Sequence, residues 1–245
     1  MTGRRAAADV ATAMAAFLAA GIWLSGVSLP ADEHPYLAVS AGAAIIGQAA
    51  ASILRRKPRL STPADRVTLV RAVVVACCAT LIVPGLLGGR TPEPLLVLLG
   101  TAAFLLDAVD GKVARWTGCA SPAGASLDSE TDAALVLVLS FATAATVGPW
   151  TLATGLMRYV FVAAGWFRPA LRGPLQESRI RKIIGAFQPF ALLLALTPGV
   201  PATAGMAAAA VALATLVWSF LRDVQELERL HRTRAALPAE TAVSN

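Results

Sequence analysis

Long apolar stretches separated by short polar or basic segments dominate the chain. Eight such stretches lie at residues 7–29, 36–54, 67–88, 94–111, 129–147, 149–167, 181–198 and 203–222. A helix of about 20 apolar residues is long enough to cross a bilayer. Because most faces of these stretches are apolar, they show no clear amphipathic period, as expected for helices surrounded by lipid and by one another. The pattern predicts an all-α, polytopic integral membrane protein with about eight spans.

The composition agrees with a membrane protein. Hydrophobic residues make up 56% of the chain, charged residues only 15%, and the mean hydropathy is +0.65. The net charge of +6 at pH 7 would suit a nucleic-acid-binding protein. The sequence has no nucleic-acid-binding motif or aromatic stacking platform, however, so we expect no nucleic-acid partner.

The distribution of lysine and arginine predicts an orientation. With a cytoplasmic N-terminus, 18 of the 21 basic residues fall in cytoplasmic segments, Arg90 lies on the opposite side, and Arg71 and Arg158 lie within spans. Such an excess of positive charge is typical of cytoplasmic loops. We therefore expect a multi-pass protein of the cell membrane with both termini at the cytoplasmic face. Its basic loops also suit anionic headgroups, so membrane lipids are expected partners.

Four aspartates interrupt the apolar pattern. Asp107 and Asp110 lie at the end of one apolar stretch, and Asp128 and Asp132 lie at the start of the next. The i,i+3 and i,i+4 spacings place each pair on one helical face. Carboxylates beside hydrocarbon are costly and therefore functional unless they are paired. Two such faces brought together would suit Mg²⁺ or Mn²⁺, so we predict an active site at the cytoplasmic face.

Two alternatives to an enzyme site need to be weighed. Solvated helix caps could explain Asp128, but not Asp107 and Asp110 at a helix C-terminal end, where the helix dipole opposes negative charge. A non-enzymatic, cation-coupled transporter or binding protein would be expected to place ionisable groups near the membrane midplane. The aspartates lie instead at one face, beside Arg115 and small residues, which favours the enzyme.

The aspartates belong to a longer signature. It reads Asp107-x2-Asp110-Gly111-x2-Ala114-Arg115-x8-Gly124-x3-Asp128-x3-Asp132. In residue types and spacing it resembles the signature of the CDP-alcohol phosphatidyltransferase family. Upstream, residues 62–71 are similar to the start of that family's first core helix, often Pro-Asn-x-x-Thr-x-x-Arg, with Asp65 where asparagine is common.

The resemblance implies a domain organisation. A six-helix transferase core would occupy residues 60–222, preceded by an N-terminal transmembrane hairpin and basic linker over residues 1–59. A cytoplasmic C-terminal helix, which we expect to be exposed, and a disordered tail would fill residues 223–245. In the loop over residues 116–125, we expect Gly124 to permit the turn that starts the helix of Asp128 on the correct face.

The resemblance also implies a reaction. The protein would move a substituted phosphate, or phosphatidyl, group from a CDP-alcohol, which we expect to be CDP-diacylglycerol, to an acceptor hydroxyl and release CMP, in phospholipid biosynthesis. Two Mg²⁺ or Mn²⁺ ions are expected. Asp107 and Asp128 would bridge both ions, Asp110 would complete one site, and Asp132 would border the other and act as general base.

Several residues occupy positions that contact the CDP moiety in the family. These are Asp65, Arg66, Val67, Thr68, Gly111, Ala114, Arg115 and Ser121. Gly111 and Ala114 would leave room for the nucleotide, and Arg115 offers paired donors to phosphate. For Arg66 a solvated interfacial charge is the favoured alternative, and Arg71 and Arg158 are each compatible with a snorkelling residue, a partner for an acid, or a substrate contact.

The acceptor is the least determined part of the function. An anionic acceptor needs cations near Asp132, and Arg158, Arg179, Arg181 and Lys182 are the candidates. The last three also suit a role as topological anchors. Residues 157–161 match neither the inositol phosphate nor the glycerophosphate pattern of the family, so glycerol phosphate, inositol phosphate, serine and a second lipid stay open, as does a homodimer.

Overall fold

The computed structural model describes residues 2–28, 35–56, 61–88, 94–118, 121–168, 170, 173 and 178–236. These residues form eight α-helices and contain no strand, which confirms the all-α prediction. The helices are α1 (Thr2–Ser28), α2 (Pro35–Leu54), α3 (Pro63–Gly88), α4 (Pro94–Trp116), α5 (Pro122–Thr146), α6 (Leu152–Phe167), α7 (Arg179–Leu196) and α8 (Ala202–Ala236). A short 3₁₀ turn over Pro149–Thr151 joins α5 to α6.

Five of the described helices are long and apolar enough to cross a membrane, namely α1, α2, α3, α4 and α8. The protein is therefore a membrane protein by length and composition, and the count of eight spans stays a prediction. Helix α6 has 16 residues, a length of about 24 Å, which is less than the hydrocarbon thickness of about 30 Å. Helix α7 begins with three basic residues, Arg179, Arg181 and Lys182, which shorten its apolar part.

Helix α3 is the central element of the bundle. It packs against α1, α2, α4 and α5, and its residues Ala72, Val75 and Ala76 are almost fully buried. The hairpin α1–α2 therefore shares a continuous apolar core with α3. Small residues allow this close approach, since a side chain at Gly42 of α2 would come within 2.6 Å of the Ala76 carbonyl oxygen.

One end of the bundle collects the polar contacts between helices, and we call it the aspartate end. Asp9 of α1 pairs with Arg66 of α3 at 3.0 Å, which places the starts of these two helices together. The predicted site residues Asp107 and Asp128 lie at the same end, in the second half of α4 and near the start of α5. Helix α6 therefore runs towards the aspartate end and α7 runs away from it.

The C-terminal segment differs from its prediction. Helix α8 continues without a break past Arg222 to Ala236, and Asp223 and Leu227 of this extension are buried. The prediction of an exposed helix was therefore wrong for one face. At 35 residues, or about 52 Å, α8 is longer than a span requires. Its extension is held by ion pairs from Arg168 and Arg181, and residues 237–245 of the predicted tail lie outside the described part of the chain.

Exposed aromatic residues mark the two ends of the bundle. Trp116 at the end of α4, and Trp166 and Phe167 at the end of α6, are exposed at the aspartate end. Trp23 and Tyr36, near the end of α1 and the start of α2, are exposed at the other end. Tryptophan and tyrosine favour the interfaces between membrane and water, so these positions agree with a bundle that spans the bilayer.

Close packing of α5 and α6 gives a first prediction. A Cβ atom at Gly155 of α6 would lie 2.7 Å from the Cα atom of Leu137 in α5, so the two backbones would have to separate. We expect Gly155→Ala to destabilise the protein by about 1–3 kcal/mol, because overpacking forces such shifts. Thermal unfolding of the detergent-solubilised protein measures the effect.

A glycine in open surroundings provides the control. A Cβ atom at Gly47 of α2 meets nothing within 4 Å, so Gly47→Ala should leave the melting temperature unchanged or raise it. Equal melting temperatures for the two variants would contradict the close contact between α5 and α6.

Candidate active site

A capping box starts α3. Thr62 Oγ1 accepts a hydrogen bond from the Asp65 amide at 3.1 Å, and Asp65 Oδ2 accepts one from the Thr62 amide at 2.8 Å. The other Asp65 oxygen pairs with Nη1 of Arg56 at 2.9 Å, and the Asp65 side chain is 1% exposed. Both oxygens of this predicted CDP-contacting residue are therefore engaged within the protein, and its contact with CDP stays a prediction.

Arg56 connects three helices at the aspartate end. It follows α2, pairs with Asp65 of α3, and donates a hydrogen bond from Nη2 to the Ala123 carbonyl in α5 at 3.0 Å. We predicted that the basic linker would face anionic headgroups, but the Arg56 side chain is instead largely buried in this contact. Residues 57–60 of the linker lie outside the described residues.

The start of α5 corrects the prediction for Gly124. The helix begins at Pro122 with Ser121 as its N-cap, whose hydroxyl accepts a hydrogen bond from the Gly124 amide at 3.0 Å. Gly124 thus lies in the first helical turn rather than in a preceding turn. A Cβ atom there would be 3.2 Å from Ser121 Oγ and 3.7 Å from Asp65 Oδ1, so the glycine leaves room between the starts of α3 and α5.

Three of the four aspartates converge on one point. One carboxylate oxygen from each of Asp107, Asp128 and Asp132 lies within 4.8 Å of the others. The three side chains are 37%, 39% and 47% exposed, respectively, so the cluster is accessible from outside. The Asp110 side chain lies outside the described part of the structure, as do those of Ala114 and Arg115.

Arg71 of α3 lies at the centre of this cluster. Its Nη1 forms an ion pair with Asp107, and its Nη2 forms ion pairs with Asp128 and, at 3.3 Å, with Asp132. Nη2 also donates a hydrogen bond to the Asp128 carbonyl oxygen at 3.1 Å. Of the roles that the sequence left open for Arg71, the structure therefore shows a partner for acids. The sequence marked Arg71 as the last residue of the upstream motif, but it did not identify the acids with which Arg71 pairs.

The cluster has the chemistry of a site for divalent cations. Three ionised carboxylates around one guanidinium leave an excess of two negative charges, and oxygen ligands are those that Mg²⁺ and Mn²⁺ prefer. The same carboxylates line a cavity of about 460 Å³ between α4, α5 and α7, which we call the carboxylate cavity. Gly111 and Lys182 also line it. The residues present therefore fit a hard metal ion beside space for a ligand.

A second cavity lies next to the first, and we call it the polar cavity. It has a volume of about 280 Å³ between α5, α6, α7 and α8, and Arg158 and Arg181 both line it. Asp132 lines both cavities. Of the predicted acceptor-binding residues, Lys182 lines the carboxylate cavity instead, and Arg179 at the start of α7 lines neither.

The remaining predicted CDP-contacting residues lie on the first turns of α3. Arg66 is about half-exposed and pairs with Asp9, which agrees with its reading as an interfacial charge. Val67 is half-buried, and Thr68 is buried with its hydroxyl donating to the Ala64 carbonyl oxygen at 3.1 Å. These residues do not line either cavity.

Comparison with known families agrees with this geometry. The sequence model for CDP-alcohol phosphatidyltransferases matches residues 61–218, more than half of the chain, including all four aspartates and Arg71. The chain belongs to the CDP-alcohol phosphatidyltransferase family. Neither the curated proteins nor the solved structures contain a match to the chain. This CDP-alcohol phosphatidyltransferase is thus an enzyme of a phosphotransferase family, and its hairpin α1–α2 precedes the matched region.

The contact between Arg56 and Asp65 gives a second prediction. Arg56→Gln would leave the buried Asp65 carboxylate without its cation, and breaking a buried pair in this way costs about 3 kcal/mol. We therefore expect a marked fall in melting temperature. Adding Asp65→Asn should recover part of the loss, because the unpaired charge is then removed.

The neighbouring arginine is the matched control. Arg55 is exposed, so Arg55→Gln should change the melting temperature little. The ion pair would have no structural role if Arg55→Gln and Arg56→Gln behaved alike.

Proposed function

We propose that this enzyme transfers a phosphatidyl group from CDP-diacylglycerol to the hydroxyl of an acceptor and releases CMP, in phospholipid biosynthesis. The observation that carries the proposal is the position of Asp132, which lines both cavities. The CDP part of the donor would lie in the carboxylate cavity and the acceptor in the polar cavity. The two reacting groups would then meet at Asp132.

The carboxylate cavity suits the diphosphate of the donor. Asp107, Asp128 and Asp132, with Asp110 as predicted, would hold the divalent cations, of which we expect two. When bound, these cations neutralise and polarise the diphosphate. Lys182 adds a positive charge to the same cavity, and Gly111 leaves space against α4. Arg71 acts on the donor indirectly, because it holds the carboxylates in position.

Asp132 is the group we assign to proton transfer. It has the largest exposed fraction of the three clustered carboxylates, and it faces the cavity we assign to the acceptor. In the reaction the acceptor oxygen forms a bond to the phosphorus of the phosphatidyl group, and the bond from that phosphorus to the CMP oxygen breaks. The acceptor's proton passes to Asp132, and CMP leaves with the electron pair.

The orientation and the domain organisation belong to the same proposal. The aspartate end collects Arg56, Arg66, Arg168 and Arg181, in agreement with a cytoplasmic face where a soluble nucleotide can leave. Residues 60–222 would form the catalytic core, and the N-terminal hairpin would support it through α3. The three clustered aspartates lie within unbroken helices at one end of the bundle, unlike the broken helices typical of transporter sites.

The third prediction is that enzymatic turnover depends on the clustered aspartates. Asp107→Asn and Asp128→Asn should lower turnover by orders of magnitude without unfolding the protein, because each removes a charged oxygen ligand. Release of radiolabelled CMP from CDP-diacylglycerol, screened over candidate acceptors, measures turnover. Excess chelator should abolish it, and added Mg²⁺ should restore it.

Glu130 provides the control on the same helix. It lies between Asp128 and Asp132 but outside the cluster, so Glu130→Gln should keep most of the activity. Full activity in excess chelator would refute the role of the carboxylates as metal ligands.

Acceptor binding at Arg158 is the fourth prediction. Arg158 lines the polar cavity and not the carboxylate cavity. Arg158→Gln should therefore raise KM for an anionic acceptor about tenfold, the scale of a lost charged hydrogen bond, while KM for the donor changes little. Initial rates at varied donor and acceptor concentrations measure both constants.

Arg168 is the comparison, because it is an exposed arginine that pairs with Glu228. Arg168→Gln should leave both constants near those of the parent. If Arg158→Gln raised KM for the donor and the acceptor equally, Arg158 would have a role in the fold and not in acceptor binding. If neither KM changed, Arg158 would be a topological anchor.

A further inference from the structure

The neutral side chains of the polar cavity contain two buried polar atoms that no described residue satisfies. They are Thr154 Oγ1 on α6 and Gln188 Oε1 on α7. Both residues are 3% exposed, and both line the cavity. Buried polar atoms are nearly always hydrogen-bonded, and one left without a partner costs about 1–3 kcal/mol. Two such atoms in one cavity indicate that a polar ligand completes them.

The Gln188 side chain has a defined orientation. Its Nε2 donates hydrogen bonds to the carbonyl oxygens of Ile184 at 3.2 Å and Ala212 at 3.1 Å. A reversed amide would place Oε1 against these two acceptors, which is unfavourable. The atom left for a ligand is therefore Oε1, which can only accept a hydrogen bond. Its partner must be a donor, such as a hydroxyl group.

Thr154 of α6 differs from the buried threonines of the neighbouring helix α5. The hydroxyls of Thr131 and Thr143 in α5 donate to the carbonyl oxygens one turn earlier, at 2.9 and 2.8 Å. The Thr154 hydroxyl makes no such bond in the described structure. It can therefore both donate to and accept from a ligand hydroxyl.

These two atoms lie on the same side of the cavity, away from the aspartate end. Thr154 precedes Arg158 by four residues on α6, which runs towards the aspartate end, a separation of about 6 Å along the axis. Gln188 follows Arg181 by seven residues on α7, which runs away from that end, a separation of about 10 Å. The charged side chains of the cavity thus lie towards the aspartate end, and its further part is neutral but polar.

The charges of the cavity also select a ligand. Arg181 pairs with Asp223 at 2.9 Å, so these two opposite charges offset each other. Arg158 forms no ion pair with a described residue. Asp132 is already shared with Arg71. Arg158 is therefore the cation of this cavity that has no ion-pair partner among the described residues, and an anionic group of a ligand can pair with it.

We propose that Thr154 and Gln188 are specificity-determining residues that bind hydroxyl groups of the acceptor, and that the acceptor is a small polyol carrying a phosphate. The phosphate would lie at Arg158, and the hydroxyls that do not react would lie at Thr154 and Gln188. A cavity of about 280 Å³ is of the size that holds a small polar molecule. This inference rests on the proposed function, since it assigns the polar cavity to the acceptor.

Equilibrium binding to the full-length protein in lipid nanodiscs tests the proposal without turnover. The probes are three radiolabelled phosphates with increasing numbers of hydroxyls, namely 2-hydroxyethyl phosphate, sn-glycerol 3-phosphate and myo-inositol 1-phosphate. We expect the parent to bind the polyol phosphates more tightly than 2-hydroxyethyl phosphate. Thr154→Val should weaken binding of the polyol phosphates about tenfold and leave 2-hydroxyethyl phosphate unaffected, because only a hydroxyl contact is lost.

Two further measurements separate recognition from folding. Thr154→Val should keep or raise the melting temperature, because the hydroxyl it removes has no partner among the described residues. Thr143→Val, which removes a buried hydroxyl outside both cavities, should leave all three affinities unchanged. Gln188→Met provides a second removal of the ligand-facing oxygen and should also reduce the preference for polyols.

The outcomes distinguish this inference from the proposed function. Parent-like polyol binding by both Thr154→Val and Gln188→Met would overturn it, and so would a parent that binds the three probes equally or not at all. CMP release is measured on the same preparations. Selective polyol binding without CMP release would refute the transferase proposal while supporting the binding site.

Discussion

Charge balance around Arg71 is the constraint on which the arrangement of the helices at the aspartate end depends. Three carboxylates within 4.8 Å of one another repel strongly, and the cost is greatest where apolar helices exclude water. Arg71 reduces this cost by pairing with all three from the buried face of α3. Because α3 also packs against α1, α2, α4 and α5, the helix that organises the core is the helix that organises the site. Removing Arg71 would leave the carboxylates without their partner cation. This destabilises a protein more than replacing both partners of the ion pairs by apolar residues.

The N-terminal hairpin acts on the site through the same helix. Arg56 after α2 contacts Asp65 in the first turn of α3 and the Ala123 carbonyl in the first turn of α5. Asp9 of α1 adds a second, more exposed contact to Arg66. These contacts define how the starts of α3 and α5 lie relative to each other, and Arg71 and Asp128 follow within two turns of them. The hairpin lies outside the region matched by the family, yet its polar contacts end on α3 and α5, the helices that carry Arg71 and Asp128.

Whether a feature of the fold or of the site could be predicted depends on whether its interactions are local in sequence or join distant segments. The helices follow from apolar runs of sufficient length, and the position of Asp128 and Asp132 on one face of α5 follows from their i,i+4 spacing, both of which are local properties. That Asp107 of α4 would join them was implied by the family signature and not by local spacing. Contacts between segments that are distant in sequence leave no pattern of residues that the sequence alone would show. Arg56 was indistinguishable from its basic neighbours, and Arg71 had three compatible roles. Gly124 was misplaced by one helical turn because Ser121 caps α5 earlier than the loop composition indicated. The buried face of the α8 extension depends on Arg181 and Arg168, which are far away in sequence.

The two cavities differ in the charged groups that line them, and this difference has a consequence for how the proposed substrates would bind. The carboxylate cavity carries an excess of negative charge around Arg71, so a diphosphate is repelled unless cations enter with it or before it. The polar cavity contains Arg158, which forms no ion pair with a described residue, so an anionic acceptor of the kind we propose would find a cation there. Among the described carboxylates, Asp132 is the one that lines both cavities, so it could respond to both of the proposed ligands. A bound acceptor phosphate near Arg158 would then place its hydroxyl beside Asp132 whether or not the donor is present, while donor binding would depend on the metal ions throughout.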